Sequence, residues 1–354
     1  MNSNNYCIIM AGGVGSRFWP LSRTEKPKQF VDALGIGKTF IQMTYDRFVR
    51  FIPKENFLVV TGEIYKELVL EQLSQLSPNQ VLTEPARRNT APCIAYATYK
   101  LYKKNPDAIV VVTPSDQYIC NESVFESVIC RNLKYASLHE ALVTIGITPS
   151  FPATGYGYIQ LADKNVDITK VVAFKEKPMF SVAQEFLISG DYVWNSGIFI
   201  WSLKSVKNAL KRYLPDIANA FDSISNVYGT KEELEIVNAT YLQSRSISID
   251  YGIMEKADNV YVSCADFGWS DIGTWGALYQ QLNKDSNGNF LSNDDIYCSD
   301  SRGCLIKVAN NHKNVVVDGL ENYIVIDMDD VLMICPRESE DRLQQLIKVV
   351  ADKI

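Results

Sequence analysis

Four consecutive β-branched residues, Ile109-Val110-Val111-Val112, stop at Pro114 and constrain this chain more than any other feature. The run reads as a strand buried on both faces, because β-branched residues fit the pleat and proline removes a ladder donor. Shorter apolar runs repeat the pattern at Tyr6–Met10, Phe57–Thr61, Val81–Leu82 and Ala141–Ile145. Helical spacing falls between them: Ile41, Tyr45, Phe48, Val49 and Ile52, then Glu63–Leu76, Thr90–Lys103 and Val124–Tyr135. Strands alternating with helices predict an α/β fold with a Rossmann-like, mixed but mostly parallel sheet flanked by helices. In such sheets ligands sit where loops leave the carboxyl ends of strands.

Beyond residue 151 the pattern is mixed. Tyr156–Leu161, Val171–Lys175 and Ser196–Trp201 read as strands, and Leu203–Tyr213 and Leu234–Tyr241 as helices. Asn287-Gly288-Asn289 marks a turn, and short β-rich pieces follow at 296–298, 303–308, 315–317, 323–326 and 331–334. Arg337–Ile354 reads as a closing amphipathic helix. The expected division is a domain at 1–285 and a small β-rich domain with a C-terminal helix at 286–354. The β-pieces are too few to establish a solenoid period.

With 354 residues, 47% apolar content and a net charge of −6, the chain suits a folded protein of two domains and not a nucleic-acid surface. No apolar run approaches the roughly 20 residues that span a bilayer. Eight cysteines without a C-x-x-C pair and two histidines argue against structural zinc, and for reduced thiols in the cytoplasm.

Two of the predicted strands lead into residues that carry chemistry. After the first come Ala11-Gly12-Gly13-Val14-Gly15-Ser16-Arg17 and, one loop later, Lys28. Glycines let backbone N–H groups approach phosphate, and an arginine with a lysine can neutralise a triphosphate. No Walker lysine follows, and a tight turn with surface cations fits the same residues. After the 109–113 run come Pro114, Ser115 and Asp116, and near the end of the larger domain Asp271 stands between Trp269 and Trp275. Together these aspartates would supply two carboxylates for one Mg²⁺, although each also suits a helix or turn cap.

Weaker candidates stand around them. Glu176 and Lys177 could meet sugar hydroxyls and a sugar phosphate, or form a solvated turn. Gly155 among tyrosines and Asn195 beside Trp194 could floor a sugar site, or simply pack a hairpin. Glu84, Asn89 and Thr90 lie at a strand-to-helix junction, where a carboxylate would match guanine's N–H groups and a capped helix start fits equally. No nucleophile–base pair is present, which suits phosphoryl or nucleotidyl transfer, where positioning and charge stabilisation suffice.

Taken together and in this order, Gly12–Phe30, Glu84–Pro92, Thr113–Gln117, Phe174–Pro178, Trp194–Trp201 and Phe267–Trp275 resemble the motifs of sugar-nucleotide pyrophosphorylases, and among them bacterial mannose-1-phosphate guanylyltransferases. The resemblance covers about residues 6–282. It implies a nucleotide-diphospho-sugar transferase fold with a short left-handed β-helix-like tail. It implies GTP and mannose 1-phosphate as substrates, GDP-mannose and pyrophosphate as products, Mg²⁺ as cofactor, and a homodimer. By position it implies that Ala11, Gly12, Gly13, Gly15, Ser16, Glu84, Asn89, Thr90 and Ser115 face the nucleotide. Arg17 and Lys28 would stabilise charge at the α-phosphorus, and Asp116 and Asp271 would hold the metal. Gly155, Glu176 and Asn195 would hold the mannose, and Lys177 its phosphate. The long members of the family carry an added cupin-type isomerase domain; the chain's length and two histidines predict no isomerase activity. The alternatives are another hexose-1-phosphate nucleotidyltransferase and a non-catalytic GDP-sugar-binding regulatory homologue.

Overall fold

Parallel pairing organises the first half of the chain. β1 (Asn5–Met10) lies between β2 (Phe57–Gly62) and β4 (Ile109–Pro114), and β3 (Val81–Glu84) flanks β2, all parallel. The computed structural model describes residues 2–13, 15–309 and 313–351. After the two-residue strand β5 (Tyr118–Ile119), the sheet takes in β6 (Leu142–Ile147), β7 (Tyr158–Leu161), β8 (Ile168–Lys175), β9 (Tyr192–Ser202) and β10 (Val260–Cys264). The nine-stranded order is β3-β2-β1-β4-β9-β6-β10-β8-β7. Only β8 and β9 run against the rest, being antiparallel to every described neighbour. The sheet is thus mixed with most strands in one direction.

Helices cover it: α1 (Phe40–Phe48), α2 (Lys66–Gln72), α3 (Thr90–Lys104), α4 (Glu122–Leu138), α5 (Phe180–Ser189), α6 (Leu203–Tyr213), α7 (Pro215–Ser223) and α8 (Glu233–Gln243). Tyr6, Ile8, Val110, Val112 and Trp201 pack with α3 and α6 residues in one core, while Cys7, Ile9, Val59 and Val111, pointing the other way, are buried as well. Both faces are therefore covered, as an unbroken β-branched run requires. The helix starts are set locally: Asn121 caps α4 by accepting from Val124 N at 3.2 Å, and Pro215 opens α7. A π-helical turn, Asp250–Met254, follows α8.

The chain folds as two compact units. One comprises Met1–Gly12, Thr44–Ser115 and Ile119–Trp269, and holds the large sheet; the other comprises Gly13–Met43, Asp116–Tyr118 and Ser270–Ile354. Trp269 and Ser270 form the short strand β11, and α9 is Trp275–Gln281. In the second unit follow β12 (Phe290–Leu291), β13 (Ile296–Ser299), β14 (Leu305–Val308), β15 (Val315–Asp318), β16 (Tyr323–Asp327) and β17 (Leu332–Pro336). Ile296 pairs in parallel with Val315, Leu305 with Ile324, and Arg302 bridges Glu321. Each pairing spans 19 residues (296 to 315, 305 to 324), so successive coils stack as in a short β-helix. α10 (Glu340–Ala351) closes the described chain, and residues 352–354 of the expected helix lie outside it. No helix among the described residues is long and apolar enough to cross a membrane.

Candidate active site

The glycine loop begins where β1 ends. Ala11 N donates to Val60 O at 2.8 Å and Ser115 N to Met10 O at 3.1 Å, so the chain leaves β1 and β4 side by side at their carboxyl ends. Gly12 lies against Glu84: a Cβ there would stand 3.0 Å from Glu84 Oε2. Glu84 in turn accepts from the Tyr241 hydroxyl, and the Cys93 thiol also bonds it. Burial raises its pKa, and these two hydrogen bonds partly offset that. Asn89 takes the capping role that the junction also allowed, with φ at 66° and Oδ1 accepting from Thr90 N at 2.9 Å. Thr90 Oγ1 accepts from Ile249 N. Ser115 is buried, and its carbonyl accepts from Thr44 Oγ1.

In the second unit the loop closes on a lysine. Gly15 has φ +61°, and a side chain there would collide with Lys28 Cβ. Gln29 Nε2 donates to Gly13 O at 2.9 Å. Val14 lies outside the described residues, and Ser16 opens a 3-10 turn, Ser16–Phe18. Lys28 is only 3% exposed and its ammonium faces the Phe18 and Phe40 rings. Three acceptors offset its desolvation: Asp116 O at 2.9 Å, Asp116 Oδ2 at 3.1 Å and Asp271 O at 2.5 Å. Asp271 does not cap α9; Thr274 does, while Asp271 Oδ1 accepts from Gly273 N at 3.0 Å. Gly273 leaves room for the exposed Arg17: a Cβ at 273 would meet Arg17 Nη1 at 3.2 Å and Asp271 Oδ2 at 2.7 Å. Between Asp271 and Gly273, buried Ile272 holds φ +40°, a strained setting for a β-branched residue. Arg17, Lys28, Asp116 and Asp271 thus form one cluster. Its two partly exposed carboxylates fit a hard divalent cation that takes its remaining ligands from water and phosphate. No described group of three or more His, Cys, Asp or Glu residues suits a full protein cage.

In the sheet unit a second cluster forms on β8, β9 and the π turn. β9 carries extra residues against β6, shifting the register between Thr144 and Gly146 around Gly197 at φ +74°. This bulge aims Asn195, whose Oδ1 accepts from Thr144 Oγ1 at 2.8 Å and whose Nδ2 donates to Asp250 Oδ1 at 3.0 Å. Glu176 accepts a salt bridge from Lys177 at 3.2 Å, and Lys177 has φ +45°. A side chain at Gly157 would collide with Glu176 Oε2, whereas Gly155 is exposed with open space around it. The structure brings Glu176 and Asn195 together, with Lys177 at the rim. It adds two residues that the sequence reading missed, Thr144 and Asp250, and of the glycines in the 154–158 run it sets Gly157 against Glu176. Burial and the Glu176 charge push the Asp250 pKa up to about 7. The signal was present, since an aspartate between Ile249 and Tyr251 is as unusual in its company as Asp271 is.

The pattern of the nucleotidyl transferase family matches residues 6–288. Mannose-1-phosphate guanylyltransferases of Klebsiella pneumoniae and Escherichia coli are each 35% identical over 348 residues, 96% of this chain and 73% of theirs. The solved structure of a mannose-1-phosphate geranyltransferase from Thermus thermophilus is 28% identical, with a TM-score of 0.88, over 98% of this chain and 99% of that one.

Proposed function

Since the chain belongs to the nucleotidyl transferase family, we propose that it transfers GMP from GTP to mannose 1-phosphate, giving GDP-mannose and pyrophosphate. The observation that carries the reading is the buried Lys28 ammonium bonded to both Asp116 and Asp271 beside Arg17. A buried cation bonded to the Asp116 carboxylate and the Asp271 carbonyl is suited to a reaction whose main demand is charge neutralisation. A phosphate oxygen of mannose 1-phosphate attacks the α-phosphorus of GTP in line, the bond from that phosphorus to the bridging oxygen breaks, and pyrophosphate leaves. Arg17 and Lys28 neutralise the charge that builds on the α-phosphoryl oxygens. Asp116 and Asp271 would hold Mg²⁺, which supplies further charge neutralisation at the phosphates. The glycine loop and Ser115 face the phosphates, and Glu84, Asn89 and Thr90 the guanosine. Glu176, Asn195 and Gly155 hold the hexose, and Lys177 its phosphate.

Eight unbridged cysteines support a cytoplasmic setting. Exposed Tyr297 and Val316, paired between β13 and β15, support a homodimer through the coiled β region. The test is pyrophosphate release with each NTP against each hexose 1-phosphate in Mg²⁺. GTP with mannose 1-phosphate is expected to be the best pair, and a better pair would overturn the guanylyl assignment. GDP-mannose binding without turnover would overturn the catalytic one. Asp271→Asn should abolish turnover and leave the melting temperature near that of the wild type; wild-type turnover would remove Asp271 from the metal site.

A further inference from the structure

The end of the large sheet away from the glycine loop is hollow. Tyr6, near the start of β1, and Phe57 and Leu58, at the start of β2, floor a cavity of about 560 Å³ together with Leu101 of α3. Small-molecule sites span roughly 300–1,000 Å³. The glycine loop leaves the other end of β1, so from Tyr6 to Ala11 the strand sets the two about 17 Å apart. An apolar hollow closes on folding unless its walls are held apart. One wall is the loop before α8: Lys103 Nζ donates to Asn226 O at 2.9 Å and Tyr228 O at 2.7 Å, and Gly229 N donates to Glu233 Oε2 at 2.6 Å. Gly229 has φ +82°, with no atom within 4 Å of where a Cβ would stand. Another wall is the turn Pro78–Gln80, where Gln80 Nε2 donates to Lys54 O at 2.8 Å and Phe57 O at 3.0 Å.

The rim is positive, in a chain whose net charge is −6. Glu233 neutralises Lys100 at 2.6 Å. Lys103 spends two hydrogens on carbonyls and keeps a third, and Lys104 faces only the Tyr6 ring, at 5.8 Å. Neither has a carboxylate partner among the described residues, and Glu55 offsets one of the two charges. Lysines in a last turn complement the α3 dipole, but that accounts for neither the aromatic floor nor the space beside it. Asn79, exposed on the turn, keeps its amide free of any bond among the described residues. A ring face, a free amide and uncompensated ammonium groups match a base, a ribose and a phosphate.

We infer that this cavity is a second binding site, for a nucleoside monophosphate whose base lies against Tyr6 and whose phosphate meets Lys103 and Lys104. The inference stands apart from the guanylyl-transfer reading, because every residue it uses lies at the amino ends of β1 and β2, in α3 or in the two walls.

The test is calorimetric titration of the full chain with AMP, with and without excess GDP-mannose, so that binding at the glycine loop is told apart. AMP should fill one site per chain with the same affinity in both conditions. Ribose 5-phosphate, which keeps the anion and lacks the base, should bind about 10-fold or more weakly, the size of lost stacking on an aromatic ring. Lys104→Glu should weaken AMP about 10-fold or more, because it turns a charge-assisted contact into repulsion. Asn79→Trp should weaken it as much by filling the cavity. Both positions are exposed, so each variant should keep the wild-type melting temperature, and either one serves if the other does not fold. Four results overturn the inference: no AMP binding up to about 5 mM, wild-type affinity in both variants, AMP binding that GDP-mannose abolishes, or equal affinity for ribose 5-phosphate.

Discussion

Lys28 shows how one side chain can be committed before any substrate arrives. Its ammonium is enclosed by two rings and three oxygens, so it is already oriented and poor in water. Lys28→Ala should lower kcat at saturating substrates by at least about 100-fold, in line with the loss of a preorganised positive charge that holds Asp116 and Asp271 in place. Steady-state kinetics check this, and an effect confined to KM would restrict Lys28 to ground-state binding. Arginine should not rescue the position, since a guanidinium is larger and planar where a compact ammonium is enclosed. Gly157 makes a second residue-scale case. Gly157→Ala should move Glu176 and raise KM for the hexose phosphate with the KM for GTP unchanged, as the same assay reads out.

Among elements, β9 joins core to chemistry. Its Phe199 and Trp201 stack at 5.4 Å and are buried, while Asn195 near its start faces the proposed sugar site. Trp201→Ala should cost about 3–5 kcal/mol by urea unfolding, because a fully buried indole leaves a cavity that the sheet cannot close. The π turn carries a pH signature. Burial and Glu176 raise the Asp250 pKa to about 7, with its own backbone N–H, Lys177 and Asn195 opposing. The folded state then binds this proton more tightly than the unfolded chain, whose aspartate titrates near about 4. Its stabilising contribution is complete below that value and is lost as pH rises through about 7, with a slope of up to roughly 1.4 kcal/mol per pH unit. Asp250→Asn should flatten that slope, measured as urea-unfolding free energy from pH 4 to 7. An unchanged slope would mean that Asp250 titrates normally.

On the scale of the whole molecule, stability belongs to apolar cores and the proposed function to the charged cluster. The sheet unit is built on a core from Tyr6 to Val262, and the second unit on Phe18, Trp275, Leu305 and their neighbours. Chelating divalent cations should therefore stop turnover while leaving the melting curve and far-UV circular dichroism unchanged; a lowered melting temperature would point to a structural metal instead. The sequence by itself determined most strands and helices, the glycine loop and the family motifs, because β-branching, helical spacing and glycine freedom act over a few residues; β10, inside the large sheet, was not among them. α5, α7 and the π turn escaped it: α5 leaves Phe180 and Ile188 exposed, and Asp250 sits in a stretch without periodicity. The 19-residue coil escaped it too, since its rungs share no repeated motif and only the ladders reveal their spacing. Tertiary structure alone decided which polar groups meet. Lys28 reaches Asp116 and Asp271 across 88 and 243 residues, and Asn195 reaches Asp250 across 55. Such pairings depend on where distant backbones are brought by burial, and no local pattern in the chain encodes them.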